Sequence, residues 1–128
     1  MRLLLDTHTL VWYYQTDLKL STAARTLVGN PANKVLVSPA SYWEVAIKIG
    51  TQKPILQVPF GVFIQEAITD NGFTILPIEP HHCERLLLLP LHHKDPFDRL
   101  LVAQALAEGI PLVSADATLD QYGVQRVW

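Results

Sequence analysis

Residues 95–116 read DPFDRLLVAQALAEGIPLVSAD, and this stretch decides the fold. Asp95 sits where an N-cap belongs, Pro96 follows at the first helical position, and Gly109 stands where a helix stops. Between them lies a strongly apolar helix, followed at once by a continuous apolar run, IPLVSA (110–115), that ends at Asp116. A helix feeding an uninterrupted apolar strand is half of a crossover unit in a parallel sheet.

The same punctuation recurs outward along the chain. RLLL (2–5) is a buried-strand pattern ending at Asp6, and THTLVWYY is a short helix. STAARTLVGN opens on the cap Ser21 and stops at Gly29. KVLVS (34–38) is a second strand. SPASYWEVAIKIG has Ser38 as cap, Pro39 at the first helical position and Gly50 as stop. PFGVFIQEAITDNG is expected to be a helix ending near Gly72, FTILPI (73–78) a third strand, and PHHCERLLLL a helix ended by Pro90. IPLVSA is the fourth strand, DATLDQY a short helical turn, and VQRVW an edge strand. Strands that are continuous apolar runs, alternating with helices, predict an α/β fold whose parallel sheet is covered on both faces. No linker or repeat interrupts residues 1–128, so one domain is expected.

Composition bounds the function. The chain has 128 residues, nearly half hydrophobic, which suffices for a core without staples. The single cysteine, Cys83, excludes an internal disulfide framework. The start of the chain lacks a long apolar region and a small-residue cleavage site, and no run is long enough to cross a membrane, so a cytoplasmic protein is expected. Charged residues are only 17%, compatible with surface covered by a partner. The net charge of −2 argues mildly against nucleic-acid binding. If four of the twelve acids line one metal site, however, the remainder holds ten bases against eight acids, a balance of +2.

The acids fall in a pattern. Asp6 and Asp116 directly follow the first and fourth strands, so both belong on the rim at the carboxyl ends, where open α/β sheets bind ligands. Asp98 lies in the first turn of its helix, and Glu44 lies among apolar neighbours on the helix after the second strand. Each has an ordinary explanation. Asp6 and Asp116 can cap short helices, Asp98 can favour the helix dipole, and Glu44 can pair with Lys48 four residues on. Taken together, four acids meeting at one rim repel each other, and a hard divalent cation with oxygen ligands removes that cost. Such a site suits phosphodiester hydrolysis.

The ordered combination of LLLDTHTLVW, SPASYWEVAIKIG, DPFDRLLVAQALAEGIPLVSAD and YGVQRVW resembles the PIN-domain family, and within it the VapC-type toxins of bacterial toxin–antitoxin modules. The resemblance spans nearly the whole chain. It implies a three-layer α/β/α sandwich with a central, mostly parallel sheet. It also implies a Mg²⁺- or Mn²⁺-dependent endoribonuclease that hydrolyses RNA phosphodiester bonds with a metal-activated water. By motif, Asp6, Glu44, Asp98 and Asp116 are then the metal-site and catalytic acids, with Thr7 and Ser114 orienting them. Asp95 is the helix cap, although three-residue spacing lets Asp95 and Asp98 share a face and leaves their exchange open. Lys48, Lys94 and Arg99 are possible RNA phosphate contacts, Arg99 alternatively bracing a carboxylate. The implied partners are RNA, a cognate antitoxin and a second copy of the chain, with no membrane. The TQKPIL run (51–56) departs from the Gly-Lys-Leu-type run common after the glutamate helix.

Other features carry less. His81, His82, Cys83, His92 and His93 match no zinc-finger spacing, though His92 or His93 could reach an RNA phosphate. Trp12, Tyr13 and Tyr14 suit a core or partner face better than base stacking. A haloacid-dehalogenase-like phosphatase requires an acid at position 8, which is His8. A dinucleotide fold requires glycines after the first strand, and a phospho-receiver domain an acid pair there; DTHTLV has neither. Two alternatives remain: a PIN nuclease of RNA processing with no antitoxin, and a PIN-like module that binds without cutting.

Overall fold

The computed structural model describes residues 1–51, 53 and 55–128; of the TQKPIL run, Gln52 and Pro54 lie outside the described residues. Five strands form one sheet in the order β3-β2-β1-β4-β5, and every pairing is parallel. The strands are β1 (Arg2–Leu5), β2 (Lys34–Val37), β3 (Thr74–Ile75), β4 (Leu112–Val113) and β5 (Arg126–Val127). The helices are α1 (Thr7–Gln15), α2 (Thr22–Gly29), α3 (Pro39–Gly50), α4 (Phe60–Phe63), α5 (Pro80–Leu87) and α6 (Pro96–Glu108), with a 3₁₀ helix at Ala117–Tyr122. None is long and apolar enough to cross a membrane among the described residues.

Side-chain alternation along the central strands splits the core in two. Leu3, Leu5, Val35, Val37 and Val113 face one layer, where they meet Leu10, Val11, Ala24, Val28, Phe63 and Ala67 from α1, α2 and the α4 segment. Leu4, Leu36 and Leu112 face the other, against Leu101, Val102 and Ala105 of α6. A strand buried on both faces needs apolar residues at every position, which is why RLLL and KVLV show no polar alternation. The result is the expected three-layer α/β/α sandwich with the central strands in its middle.

Helix starts follow the cap chemistry. Ser21 Oγ accepts the Ala24 amide, Ser38 Oγ accepts the Ala40 amide with Pro39 at the first position, and Asp95 Oδ1 accepts the amides of Phe97 and Asp98. Gly109 ends α6 at φ +65°, a left-handed conformation that a residue bearing a Cβ adopts only with strain.

Three expectations require correction. The strand expected over 73–78 is confined to Thr74–Ile75, although the Leu76 amide still donates to the Val37 carbonyl at 2.8 Å; beyond it this edge of the sheet ends and the chain turns to begin α5 at Pro80. The strand expected over 110–115 is confined to Leu112–Val113, although Leu4 still donates to the Pro111 carbonyl and Ser114 to that of Val127. The helix expected to end near Gly72 widens after Phe63 into a π-helical stretch, Ile64–Thr69, with the Asp70 amide donating five residues back to the Gln65 carbonyl at 2.8 Å.

Candidate active site

Asp6 ends β1 and caps α1, its Oδ1 accepting the Thr9 amide at 2.8 Å. The residue is buried, and burial pushes its carboxyl pKa up against hydrogen bonds from Thr9 and Ser114 that pull it down. Its neighbour Thr7 reaches sideways to α3, where the hydroxyl donates to Glu44 Oε1 at 2.7 Å. Glu44 is 5% exposed, and its second oxygen meets Lys48 Nζ at 2.8 Å, one helical turn on. A buried carboxylate with both oxygens engaged is the arrangement that makes its burial tolerable.

Asp98 stands at the start of α6, half-buried, with its carboxyl pushed up to about 7. Burial is the main cause, followed by the charges of Asp95, Asp6 and Glu44, against a smaller pull from His93. Charges from β1 and α3 acting on a group of α6 mean that three distant segments bring their acids to one place. Asp116 enters from the end of β4. Its Oδ1 accepts from the amide and hydroxyl of Thr118, and its Oδ2 lies 3.0 Å from His93 Nε2. Burial pushes the Asp116 carboxyl up, but Thr118 and His93 together bring it below its ordinary value.

His93 Nε2 also lies 3.6 Å from Asp98 Oδ2, so the imidazole stands between two of the four acids. The expectation that His92 or His93 could reach an RNA phosphate does not foresee this position of His93; the available signal is a histidine five residues before Asp98, in the loop that leads into its helix. His92 instead packs edge-on to the Tyr122 ring.

The remaining expectations divide. Thr7 and Ser114 both engage the acids, Ser114 Oγ also accepting the Asp116 amide. Asp95 is the cap, and Asp98 is the residue turned toward the other acids. Lys48, expected at a phosphate, is paired with Glu44, because helical spacing puts its ammonium next to the buried carboxylate. Among the described residues Arg99 braces no carboxylate: its guanidinium donates to the Leu89 carbonyl and ties the loop after α5 to α6. Lys94 is exposed.

The donor set fits a hard divalent cation. Carboxylate oxygens dominate it, and ligand atoms of His93, Asp98 and Asp116 lie within 4.8 Å of one another. The mutual repulsion felt by Asp98 is what a cation would relieve. A second cluster, His81, His82 and Glu108, has similar spacing but different chemistry. His82 Nδ1 accepts the Glu79 amide, so the neutral ring carries its proton on Nε2 and donates it to Glu108 at 2.9 Å. With that lone pair occupied, the cluster is a hydrogen-bonded tie between α5 and α6.

A family model described as PIN domain matches residues 3–125. Ribonuclease VapC22 of Mycobacterium tuberculosis is 29% identical over 129 residues, covering 98% of this chain and 97% of its own. The fold is shared with VapBC2 of Rickettsia felis, solved bound to a DNA fragment from their promoter: the TM-score is 0.69 at 16% identity, over 99% of this chain and 98% of that one. VapBC-1 from nontypeable Haemophilus influenzae gives a TM-score of 0.64 at 14% identity, over 99% and 97%.

Proposed function

The chain belongs to the PIN-domain family, and from that premise we propose that it is a metal-dependent endoribonuclease acting as the VapC-type toxin of a toxin–antitoxin pair. One observation carries the reading: Asp98 at the start of α6 and Asp116 after β4 converge on one imidazole, 3.6 and 3.0 Å from His93 Nε2, with the charges of Asp6 and Glu44 near enough to help push the Asp98 carboxyl up. A site meant only to cap helices has no reason to gather acids from separate elements. The similarity to Ribonuclease VapC22 over almost the full length points to RNA as substrate.

In this reading Asp6, Glu44, Asp98 and Asp116 hold the cation, Mg²⁺ or Mn²⁺. When bound, that cation polarises water and neutralises charge growing on the phosphate. Thr7 orients Glu44, and Ser114 orients Asp6. Asp98 gives up its proton for the site to fill. Lys94, exposed, is the phosphate contact of this reading, while Lys48, held on Glu44 at 2.8 Å, brings positive charge to the acids. Arg99, committed to the Leu89 carbonyl, stabilises the loop rather than the substrate.

The antitoxin assignment draws on the VapBC complexes that share the fold. Trp43, Ile47, Leu87, Leu88 and Leu91 are exposed, and apolar surface of this kind suits a second copy of the chain or the antitoxin. The cytoplasm is the compartment such a pair and its RNA require. The whole of residues 1–128 acts as one PIN domain in this reading.

The test is RNA cleavage by the purified chain with Mg²⁺ or Mn²⁺, beside an Asp6→Asn variant and a chelated control. Cleavage by the wild type alone is expected. Equal cleavage by wild type and variant removes the site from consideration. Silence across a broad RNA panel, with cation still bound, favours the binding-module alternative.

A further inference from the structure

We propose that His93 is a positioning residue of the acidic site: its Nε2–H holds Asp116 and leans toward Asp98, while the imidazole itself stays outside the ligand set. The proposal rests on the metal-site reading above and deepens it.

The tautomer decides the role. The backbone amide of Asp95 donates to His93 Nδ1 at 3.1 Å. A backbone amide can only donate, so Nδ1 is the acceptor and the single proton of the neutral ring is on Nε2. That nitrogen faces Asp116 Oδ2 at 3.0 Å, a hydrogen bond, and Asp98 Oδ2 at 3.6 Å, beyond one. A nitrogen bearing its proton has no lone pair for a cation. His93 is therefore placed to orient carboxylates, as hydrogen-bonded partners of metal ligands do elsewhere.

The residue is fixed at both its backbone and its ring. The His93 amide donates to the Tyr122 hydroxyl at 2.9 Å, and Tyr122 belongs to the 3₁₀ helix that Asp116 caps. The ring's other nitrogen is held by Asp95, which caps α6, the helix of Asp98. One residue thus links the two elements that present Asp98 and Asp116. Thr118 holds Asp116 by Oδ1 and His93 by Oδ2, so this carboxylate is oriented at both oxygens. The consequence is an all-oxygen ligand set, which favours Mg²⁺ or Mn²⁺ over Zn²⁺.

Metal binding to the full chain tests this. Mn²⁺ affinity is read from the electron paramagnetic resonance of the free ion, and Zn²⁺ affinity by competition with a chromophoric chelator. The variants are His93→Asn, His93→Gln and Asp98→Asn, with folding followed by circular dichroism. An asparagine amide overlies Nδ1 and cannot reach Asp116, whereas a glutamine amide reaches the Nε2 position and can still donate. His93→Asn should weaken Mn²⁺ binding by about 10- to 100-fold and Zn²⁺ binding in proportion. His93→Gln should restore most of both. Unchanged Mn²⁺ affinity in His93→Asn overturns the proposal. So does a selective loss of Zn²⁺ affinity in both histidine variants without rescue, which would make His93 a ligand. Asp98→Asn separates the two levels of inference. If it binds Mn²⁺ as tightly as wild type, or if wild type binds none, the site reading itself fails.

Discussion

The Thr7 hydroxyl donates to Glu44 Oε1 at 2.7 Å, tying the first residue of α1 to the middle of α3 in a buried setting. Two segments 37 residues apart are joined by this bond where the acids meet. Thr7→Val keeps the shape and removes the donor. It should destabilise the protein by about 1–3 kcal/mol, because a buried carboxylate loses a partner. RNA cleavage should fall with it. Urea midpoints and cleavage rates measured on the same preparation check both; unchanged stability would mean that Lys48 alone satisfies Glu44.

Asp95 and Asp98 are three residues apart and should respond oppositely. Asp95→Ala removes the acceptor for two helix amides and should cost about 1 kcal/mol. Asp98→Asn removes a carboxyl that its surroundings disfavour in the charged form. At pH 8 without metal it should leave stability unchanged or raise it by about 1–2 kcal/mol, while abolishing cleavage. Denaturant titrations at pH 8 with a chelator present distinguish a cap from a site acid.

The pH dependence of cation binding follows from Asp98. Its carboxyl is pushed up to about 7, so near pH 6 it is mostly protonated and must release that proton when a cation binds. Calorimetry in two buffers of different ionisation heat should show close to one proton released at pH 6 and few above pH 8. Affinity should rise up to about tenfold per pH unit below 7 and level off above it. For the metal-free protein the sign is reversed. A carboxyl raised above its unfolded value of 3.8 penalises the folded state once ionised, so this contribution lowers stability as pH climbs from about 4 to 7.

Glu108 makes the opposite contribution at the far rim of the sheet. Hydrogen bonds from His82, His81 and Arg2 bring its carboxyl down to about 2. A depressed carboxylate stabilises the fold above its unfolded value of 4.5, and this is lost as pH falls toward 2. Glu108→Gln should lower stability near pH 7 by about 1 kcal/mol, solvent screening keeping the figure modest. The difference from wild type should close as the pH approaches 2, with cleavage unaffected. A constant gap across that range would count against the ionised pair.

Much of the molecule was legible in its residues because the relevant physics is local. Asp95, Pro96 and Gly109 each act on backbone groups within a few positions, so the bounds of α6 could be read directly. Leu3 to Leu5 and Val35 to Val37 are apolar at every position, and only a strand covered on both faces needs that. The acids Asp6 and Asp116 follow strands that are neighbours in a parallel sheet, and parallel strands end on the same rim. Where local signals compete, the local pattern misleads. FTILPI is apolar enough for a full strand, but its length is set by a place at the sheet edge that no local pattern records.

By itself, then, the sequence determined the α/β class, the helix caps and the acids that could meet, since each depends on contacts close along the chain. The tertiary structure decided what those side chains touch. It seated Lys48 on Glu44, turned Arg99 to the Leu89 carbonyl and stood His93 between Asp98 and Asp116. A long side chain can reach several partners at similar cost, and only the packing of α3, α5, α6 and the loop before α6 selects among them.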